Sequence, residues 1–305
     1  MSSQRPNHRW IVEWHSPESG MVSIVDEVLY SGRTKYQEVD VLRNDDYGKM
    51  LVLDGKLQSS MSDEFIYHEM LVHPALVSHG SPRDVLIIGG GEGATLREVL
   101  RYRTVRKAVM VDIDGEVVEL CRKYLPEMHR GSFDDPRSKV VIGDGRKFLE
   151  EVEDSFDAII VDATDPIEGG PSRLLYTLEF YQLVRSRLRD GGVMATQGTS
   201  TFYNARTFAR IVSTMRAVFP HVRGYMASIP SYISDWGFVV GSLGRDPASI
   251  SPEEAERRAR DLGLPELKYY EPSRHPYYFW LPPYVRRIVD EEKGVSRDQE
   301  PVSVY

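Results

Sequence analysis

The chain has 305 residues, 41% of them apolar, with 38 Lys plus Arg against 46 Asp plus Glu and a formal charge of −8. About two domains and an ample core suit that length, and the acidic balance argues against phosphate-backbone binding, so no nucleic-acid partner is expected. The single cysteine, Cys121, rules out an intrachain disulfide and a cysteine-rich zinc site and fits a reducing compartment.

Residues 1–20 carry neither the apolar run of a signal peptide nor an Arg-rich transit bias, and no stretch approaches the ~20 apolar residues of a membrane span. A cytoplasmic protein with no membrane partner is expected. From about 10 to 61 the pattern is short β-type runs (MVSIVDEVLYSG, KYQEVDVLRN, KMLVLDGKLQSS) broken by turn signals such as Asp54-Gly55, which predicts a small antiparallel β-domain over 1–62. From 63 onward apolar strands alternate with helical patterns: VLIIG, a helix from Ala94, AVMVDID, a helix from Gly115, KVVIGD, AIIVDA, helices near 174–188 and 204–219, and GFVVGS. That alternation predicts an α/β fold, a Rossmann-like, methyltransferase-like doubly wound sheet over 63–305. From about 246 an extension holds a charged helix, Pro252–Leu262, and an aromatic stretch around Tyr277, Tyr278, Phe279 and Trp280; with few aliphatics it is expected to pack on the α/β domain.

The strongest local signal is VLIIGGGEGATLREVL, a strand running through Gly89, Gly90, Gly91, Glu92 and Gly93 into a helix. Glycines there let a ligand approach the backbone, beside the free N–H groups of a helix start. The spacing fits a dinucleotide loop and a nucleoside-binding methyltransferase loop equally. About twenty residues on, Asp112 and Asp114 end the next strand, where an acid can accept bonds from ribose hydroxyls. Asp144, in Gly143-Asp144-Gly145, sits where a carboxylate can meet an adenine amino group. Asp162 and Asp165 follow the fourth strand, at the carboxyl edge where ligands bind in this architecture.

Three carboxylates beside a diphosphate would repel it, which counts against a nicotinamide dehydrogenase. Glu92 and Asp162 would likewise repel the carboxylate of S-adenosylmethionine and attract an ammonium. A decarboxylated donor matches better, while an ordinary methyltransferase or a non-catalytic nucleoside binder stays as an alternative. His68 and His73 are five apart, so a helix sets them ~140° apart and no metal site is expected.

The ordered motifs Lys35-Tyr36-Gln37-Glu38, Leu53-Asp54-Gly55-Lys56-Leu57-Gln58, Asp63-Glu64-Phe65-Ile66-Tyr67-His68-Glu69, Gly89 to Gly93, Val111-Asp112-Ile113-Asp114, Gly143-Asp144, Asp162-Ala163-Thr164-Asp165-Pro166, Thr196-Gln197-Gly198 and Ile229-Pro230-Ser231-Tyr232 resemble the polyamine aminopropyltransferases, the spermidine synthase family, over nearly the whole chain. The resemblance implies a β-domain before a Rossmann-like catalytic domain, assembly as a homodimer or homotetramer, a polyamine substrate, and decarboxylated S-adenosylmethionine as co-substrate with no prosthetic group. Carried onto this sequence, it implies that Gln37 and Asp112 hold the donor ribose and that Asp144 and Gly145 hold the adenine. Glu92 and Asp162 would take the donor amine, with Gln58, Gly89 and Gly91 lining the donor site. Tyr67, Asp162 and Asp165 would surround the attacking nitrogen, with Trp10, His68, Gln197, Tyr232 and Trp236 along the acceptor groove.

Glu92 stands where most members have Asp, and His68 where many have Gln. The strings around Asp165 to Pro171 and Ile229 to Gly237 look most like thermospermine synthases. The expected reaction is therefore aminopropyl transfer to spermidine, giving thermospermine and methylthioadenosine; spermidine synthase and agmatine or triamine aminopropyltransferase are the alternatives. Asp162 is the expected proton acceptor, because an aliphatic ammonium with a pKa near ~10.4 has no free lone pair at pH 7. Tyr67 would align the nitrogen and Asp165 anchor a cationic amine.

Overall fold

A computed structural model describes residues 9–304. Residues 9–60 make two sheets where the sequence suggested one antiparallel unit. Strands β1 (Arg9–Trp14) and β2 (Gly20–Val25) pair as a hairpin, and β3 (Glu27–Arg33), β4 (Glu38–Asn44), β5 (Gly48–Leu53) and β6 (Lys56–Ser60) form a meander. The run read as continuous from Met21 to Gly32 breaks at Asp26, whose N–H donates to Arg43 O and whose side chain accepts from Asp45 N. That corner hands the chain from one sheet to the other.

Helix α1 (Glu64–His79) follows, buried along nearly its whole length. It escapes periodicity analysis for that reason, since a helix covered on every side has no polar face. Then come β7 (Asp84–Gly89), α2 (Ala94–Leu100), β8 (Lys107–Asp112), α3 (Gly115–Tyr124), α4 (Pro126–His129), β9 (Ser138–Ile142), α5 (Gly145–Glu151) and β10 (Phe156–Asp162). After them lie α6 (Leu178–Ser186), β11 (Leu188–Ser200), α7 (Ala205–Arg216), β12 (His221–Ile229) and β13 (Ser234–Ser242). The helix expected over 174–188 starts later, at Leu178, because Thr177 caps it by accepting from Phe180 N, and a 3₁₀ turn, Pro171–Tyr176, precedes it.

The seven-stranded sheet has the order β12-β13-β11-β10-β7-β8-β9. The strands from β11 to β9 run parallel, and β13 lies antiparallel between β11 and β12. The hairpin that contributes β12 is absent from the sequence reading. Strand order reverses between β7 and β10, which opens a crevice at their carboxyl ends. Beyond Arg245, α8 (Pro252–Leu262), α9 (His275–Tyr278) and α10 (Pro283–Glu291) pack on the two faces: Ala255, Leu262 and Tyr270 join the core on the α1 side, Leu281, Val285 and Val289 the core on the α7 side. The aromatic cluster divides, with Tyr278 and Phe279 packed against the core and Tyr277 and Trp280 exposed.

Gly89 fixes the crevice. Its φ is +84°, and a Cβ there would lie 2.1 Å from Asp162 O, the carbonyl that also accepts from Gly90 N. Both the left-handed backbone and the neighbouring strand demand glycine. Gly89→Ala should therefore cost about 3 kcal/mol or more, read as a fall in the midpoint of chemical denaturation; an unchanged midpoint would contradict this close approach.

Candidate active site

A cavity of about 660 Å³ opens at the crevice, lined by the glycine turn, by the loops after β8, β9 and β10, and by the amino-terminal sheets. Its volume lies within the range of small-molecule sites. Asp162 stands at its centre because β10 ends there, level with Gly89. Both carboxylate oxygens accept: Oδ1 from Tyr67 Oη at 2.8 Å, Oδ2 from Thr95 Oγ1 at 2.6 Å. Burial and the Asp162 charge push the Tyr67 phenol well above its ordinary range, so it stays a donor.

On the β8 side, Asp112 Oδ1 accepts from Asp114 N at 2.8 Å, and burial raises its carboxyl to about 6. A Cβ on Gly91 would lie 2.9 Å from Asp112 Oδ2, so glycine leaves that oxygen its room. Gln37 reaches over from the meander, its Nε2 donating to Asp114 Oδ2 at 3.0 Å. Asp114 itself caps α3, accepting from Glu116 N and Val117 N. Asp144 caps α5 in the same way through Oδ1, bonding Arg146 N and Lys147 N, and a Cβ on Gly145 would strike Ile88. Asp112, Asp144, Gly145, Gln37, Gln58, Gly89, Gly91 and Glu92 all border the cavity.

The acceptor residues expected from the sequence are placed less uniformly. Tyr232 packs edge-on against Tyr67 and Trp236 and donates to Gln58 O. Trp236 lines the cavity, its Nε1 buried and without a hydrogen-bond partner among the described residues. Gln197 borders the cavity but its amide is spent: the two Nε2 protons are shared among Ala163 O, Asp165 Oδ1 and Tyr176 Oη, all within 3.2 Å, and Oε1 accepts from Thr199 N. It acts by holding Asp165.

Trp10 lies outside the cavity with 64% of its surface exposed. Strand alternation is the reason, because Trp10 and Val12 share the outer face of β1 and Ile11 and Glu13 take the inner one. His68 borders the cavity as a buried, hydrogen-bonded residue. It is 2% exposed, with Nδ1 2.9 Å from Glu64 Oε2 and Nε2 2.8 Å from Glu92 Oε1. Burial opposes its charge, but Glu92 and Glu64 outweigh that and raise it well above its ordinary value. His68 is thus an imidazolium backing Glu92. Glu64 in turn pairs with Arg97 at 2.8 Å.

Sequence reasoning missed Glu13. It lines the cavity at 9% exposure, and Oε2 is buried without a hydrogen-bond partner among the described residues. Burial raises its carboxyl to about 7, with Asp165 adding to the rise and a Leu57 backbone bond and Lys56 opposing it. Asp165, removed from water in the same wall, is raised to about 6 against the bond from Gln197. The available signal was a lone acid between Val12 and Trp14 on the inner register of β1. Among the described residues no group of three His, Cys, Asp or Glu could hold a metal ion, and no helix is long and apolar enough to cross a membrane.

A glycine turn beside a small-molecule cavity, at the switch point of a sheet of this strand order, defines the class of doubly wound α/β proteins with a ligand site at the strands' carboxyl ends, here lined by acids. Residues 64–246 match the family model for the spermine/spermidine synthase domain, and residues 9–60 that for the spermidine synthase tetramerisation domain. The chain is similar to a polyamine aminopropyltransferase of Sulfolobus acidocaldarius, 42% identical over 96% of this chain and 97% of that one. It is also similar to polyamine aminopropyltransferase 2 of Hyperthermus butylicus, 45% identical over 99% of each. Among solved structures, spermidine synthase from Thermotoga maritima superposes with a TM-score of 0.85 at 36% identity, covering 96% of this chain and 98% of that one. A spermidine synthase in complex with the transition state analogue AdoDATO has the same TM-score at 35% identity, with the same coverage. The chain belongs to the spermine/spermidine synthase family and is a polyamine aminopropyltransferase.

Glu13 makes a prediction with a definite sign. Its folded value, about 7 against 4.5, means that between those values the folded chain holds a proton the unfolded chain has lost, so stability falls as pH rises through the window. Glu13→Gln removes that loss. The variant should melt several degrees above wild type at pH 8 and near it at pH 4.5; a constant difference across the range would refute the buried-acid account.

Proposed function

We propose that the enzyme transfers the aminopropyl group of decarboxylated S-adenosylmethionine to spermidine, giving thermospermine and methylthioadenosine. The observation that carries the reading is Asp162, set between Tyr67 and Thr95 at the crevice with Asp165 and Glu13 further along the same wall. In this reading Asp112 and Gln37 hold the donor ribose and Asp144 with Gly145 the adenine. Glu92 and Asp162 attract the donor's ammonium, and a carboxylate in that place would be repelled.

The acceptor nitrogen gives up its proton toward Asp162 and directs its lone pair at the propyl carbon bonded to the sulfonium. The C–N bond forms as the C–S bond breaks, and sulfur leaves with the electron pair as a neutral thioether. Sulfonium needs no acid to depart, so the chain's own work is to free the nitrogen, align it through Tyr67 and hold the reactants in line. Asp165 and Glu13 then each face a further cationic nitrogen, which favours a triamine over a diamine.

We also propose a homodimer or homotetramer built through the β1–β2 hairpin. Trp10 pairs with Ile24 and Val12 with Val22, so one face of the hairpin exposes four apolar side chains, each at least 43% open. The match of 9–60 to a tetramerisation domain supports this face. Replacing Val22 by Glu should lower the mass seen in sedimentation by at least half; an unchanged mass would move the interface elsewhere.

Asp162→Asn should cut turnover by roughly 10²–10⁴-fold while leaving the circular dichroism spectrum unchanged. The acceptor is tested with putrescine, agmatine, norspermidine and spermidine, the products separated as spermine or thermospermine by mass spectrometry. Spermidine should give the highest kcat/KM and thermospermine the product; a preference for putrescine or agmatine would overturn the acceptor assignment.

A further inference from the structure

The wall of the cavity that follows β10 is the segment 163–176, which contributes Thr164, Asp165, Ile167, Gly170, Ser172 and Leu175 to the lining. Its own ties are short-range: Ile167 N donates to Asp165 O at 2.8 Å and Gly170 N to Ile167 O at 2.9 Å. Ser172 Oγ donates to Asp165 O at 2.8 Å and Tyr176 Oη to Thr164 O at 3.0 Å. Gly169, at φ +77°, has nothing within 4 Å of where a Cβ would stand. A wall made of 3₁₀ turn and loop has no ladder to hold it in place.

Gln197 of β11 holds the two ends of the segment, through Ala163 O, Asp165 Oδ1 and Tyr176 Oη; its middle is supported from outside the sheet, by residues 296–304. Val304 pairs in parallel with Ile167, its N–H donating to Pro166 O at 3.0 Å, and its side chain is fully buried. Arg173 donates to Pro301 O at 3.2 Å. Asp298 takes a two-pronged bond from Arg146, Nη1 to Oδ1 at 2.8 Å and Nη2 to Oδ2 at 2.6 Å, and Oδ1 also accepts from Thr177 Oγ1 at 2.7 Å. Arg146 lies in the first turn of α5, directly after Asp144 and Gly145, and itself borders the cavity. One carboxylate therefore joins the loop after β9 to the end of the 163–176 wall.

The segment 296–304 is anchored in turn to the body. Ser296 N donates to Thr214 Oγ1 on α7, Leu178 N donates to Ser296 O, and Thr207 Oγ1 donates to Ser303 O. Bidentate Arg–carboxylate geometry with a further donor on the same oxygen defines position closely. We propose that residues 296–304 are a positioning strap: through Asp298 and Val304 they hold the 163–176 wall and Arg146 against the bound nucleoside, without touching the reacting atoms. Its kinetic consequence rests on the donor assignment above; its structural consequence does not.

The test compares Asp298→Ala and Val304→Asp with wild type. Hydrogen–deuterium exchange of the ligand-free protein should speed up at least tenfold across 166–176 in both variants, with β7 and β10 unchanged. With saturating acceptor, KM for decarboxylated S-adenosylmethionine should rise fivefold or more with kcat within twofold, because binding geometry is lost and the chemistry is not. Val304→Ile should restore wild-type values. If Val304→Asp does not fold, Asp298→Ala decides alone. Exchange across 166–176 within twofold of wild type overturns the strap, as does a loosened wall with no rise in KM. If wild type fails to turn over that donor at all, the donor assignment falls while the exchange result still judges the strap.

Discussion

The cavity holds carboxyl groups out of water, and the rest of the site is arranged around that constraint. Moving an ionised carboxylate into a low-dielectric wall costs several kcal/mol unless a cation or hydrogen bonds compensate. Glu13, Asp112 and Asp165 respond by retaining protons to about 7, 6 and 6. In the function proposed above, a ligand that brings its own positive charges releases those protons, so that polyamine binding and proton release are coupled.

Behind the glycine turn the same problem has an internal solution. Glu92, His68, Glu64, Arg97 and Glu98 form a chain of alternating charge, with neighbouring groups 2.7–2.8 Å apart along Glu92–His68 and Glu64–Arg97–Glu98. Arg97 also donates to Glu64 through Nη1, and these partners bring Glu64 down to about 2 against the opposing effect of burial. Such pairs add little net stability compared with apolar packing. They set where Glu92 stands: α1 supplies Glu64 and His68, α2 supplies Arg97 and Glu98, and the turn between β7 and α2 is pinned from both.

How far the sequence revealed this depends on where each residue's signal comes from. The glycine turn, Asp112, Asp144 and Asp162 sit at the ends of short apolar strands, and chain order alone puts such ends at one sheet edge. Helix α1 gave no period because it is covered on all sides, and β12 is a half-exposed strand with a polar start. Trp10 and Glu13 exchanged roles for a related reason: β1 carries apolar residues on both faces, so alternation cannot say which face turns inward. The ring nitrogens of His68 and the amide of Gln197 are engaged by partners as far as 34 residues away in sequence, and no local pattern encodes that occupancy.

The bond from Arg146 to Asp298 spans 152 residues of chain. During synthesis the last strand of the sheet is complete at Ser242, yet the strap that braces the middle of the cavity wall begins at Ser296. At ~5–20 residues per second those 54 positions take roughly 3–11 s. Through that interval the chain carries every strand of the seven-stranded sheet and the Gln197 bonds to the wall's ends but lacks the proposed strap, so the scaffold and the full support of its pocket wall are encoded at separate times.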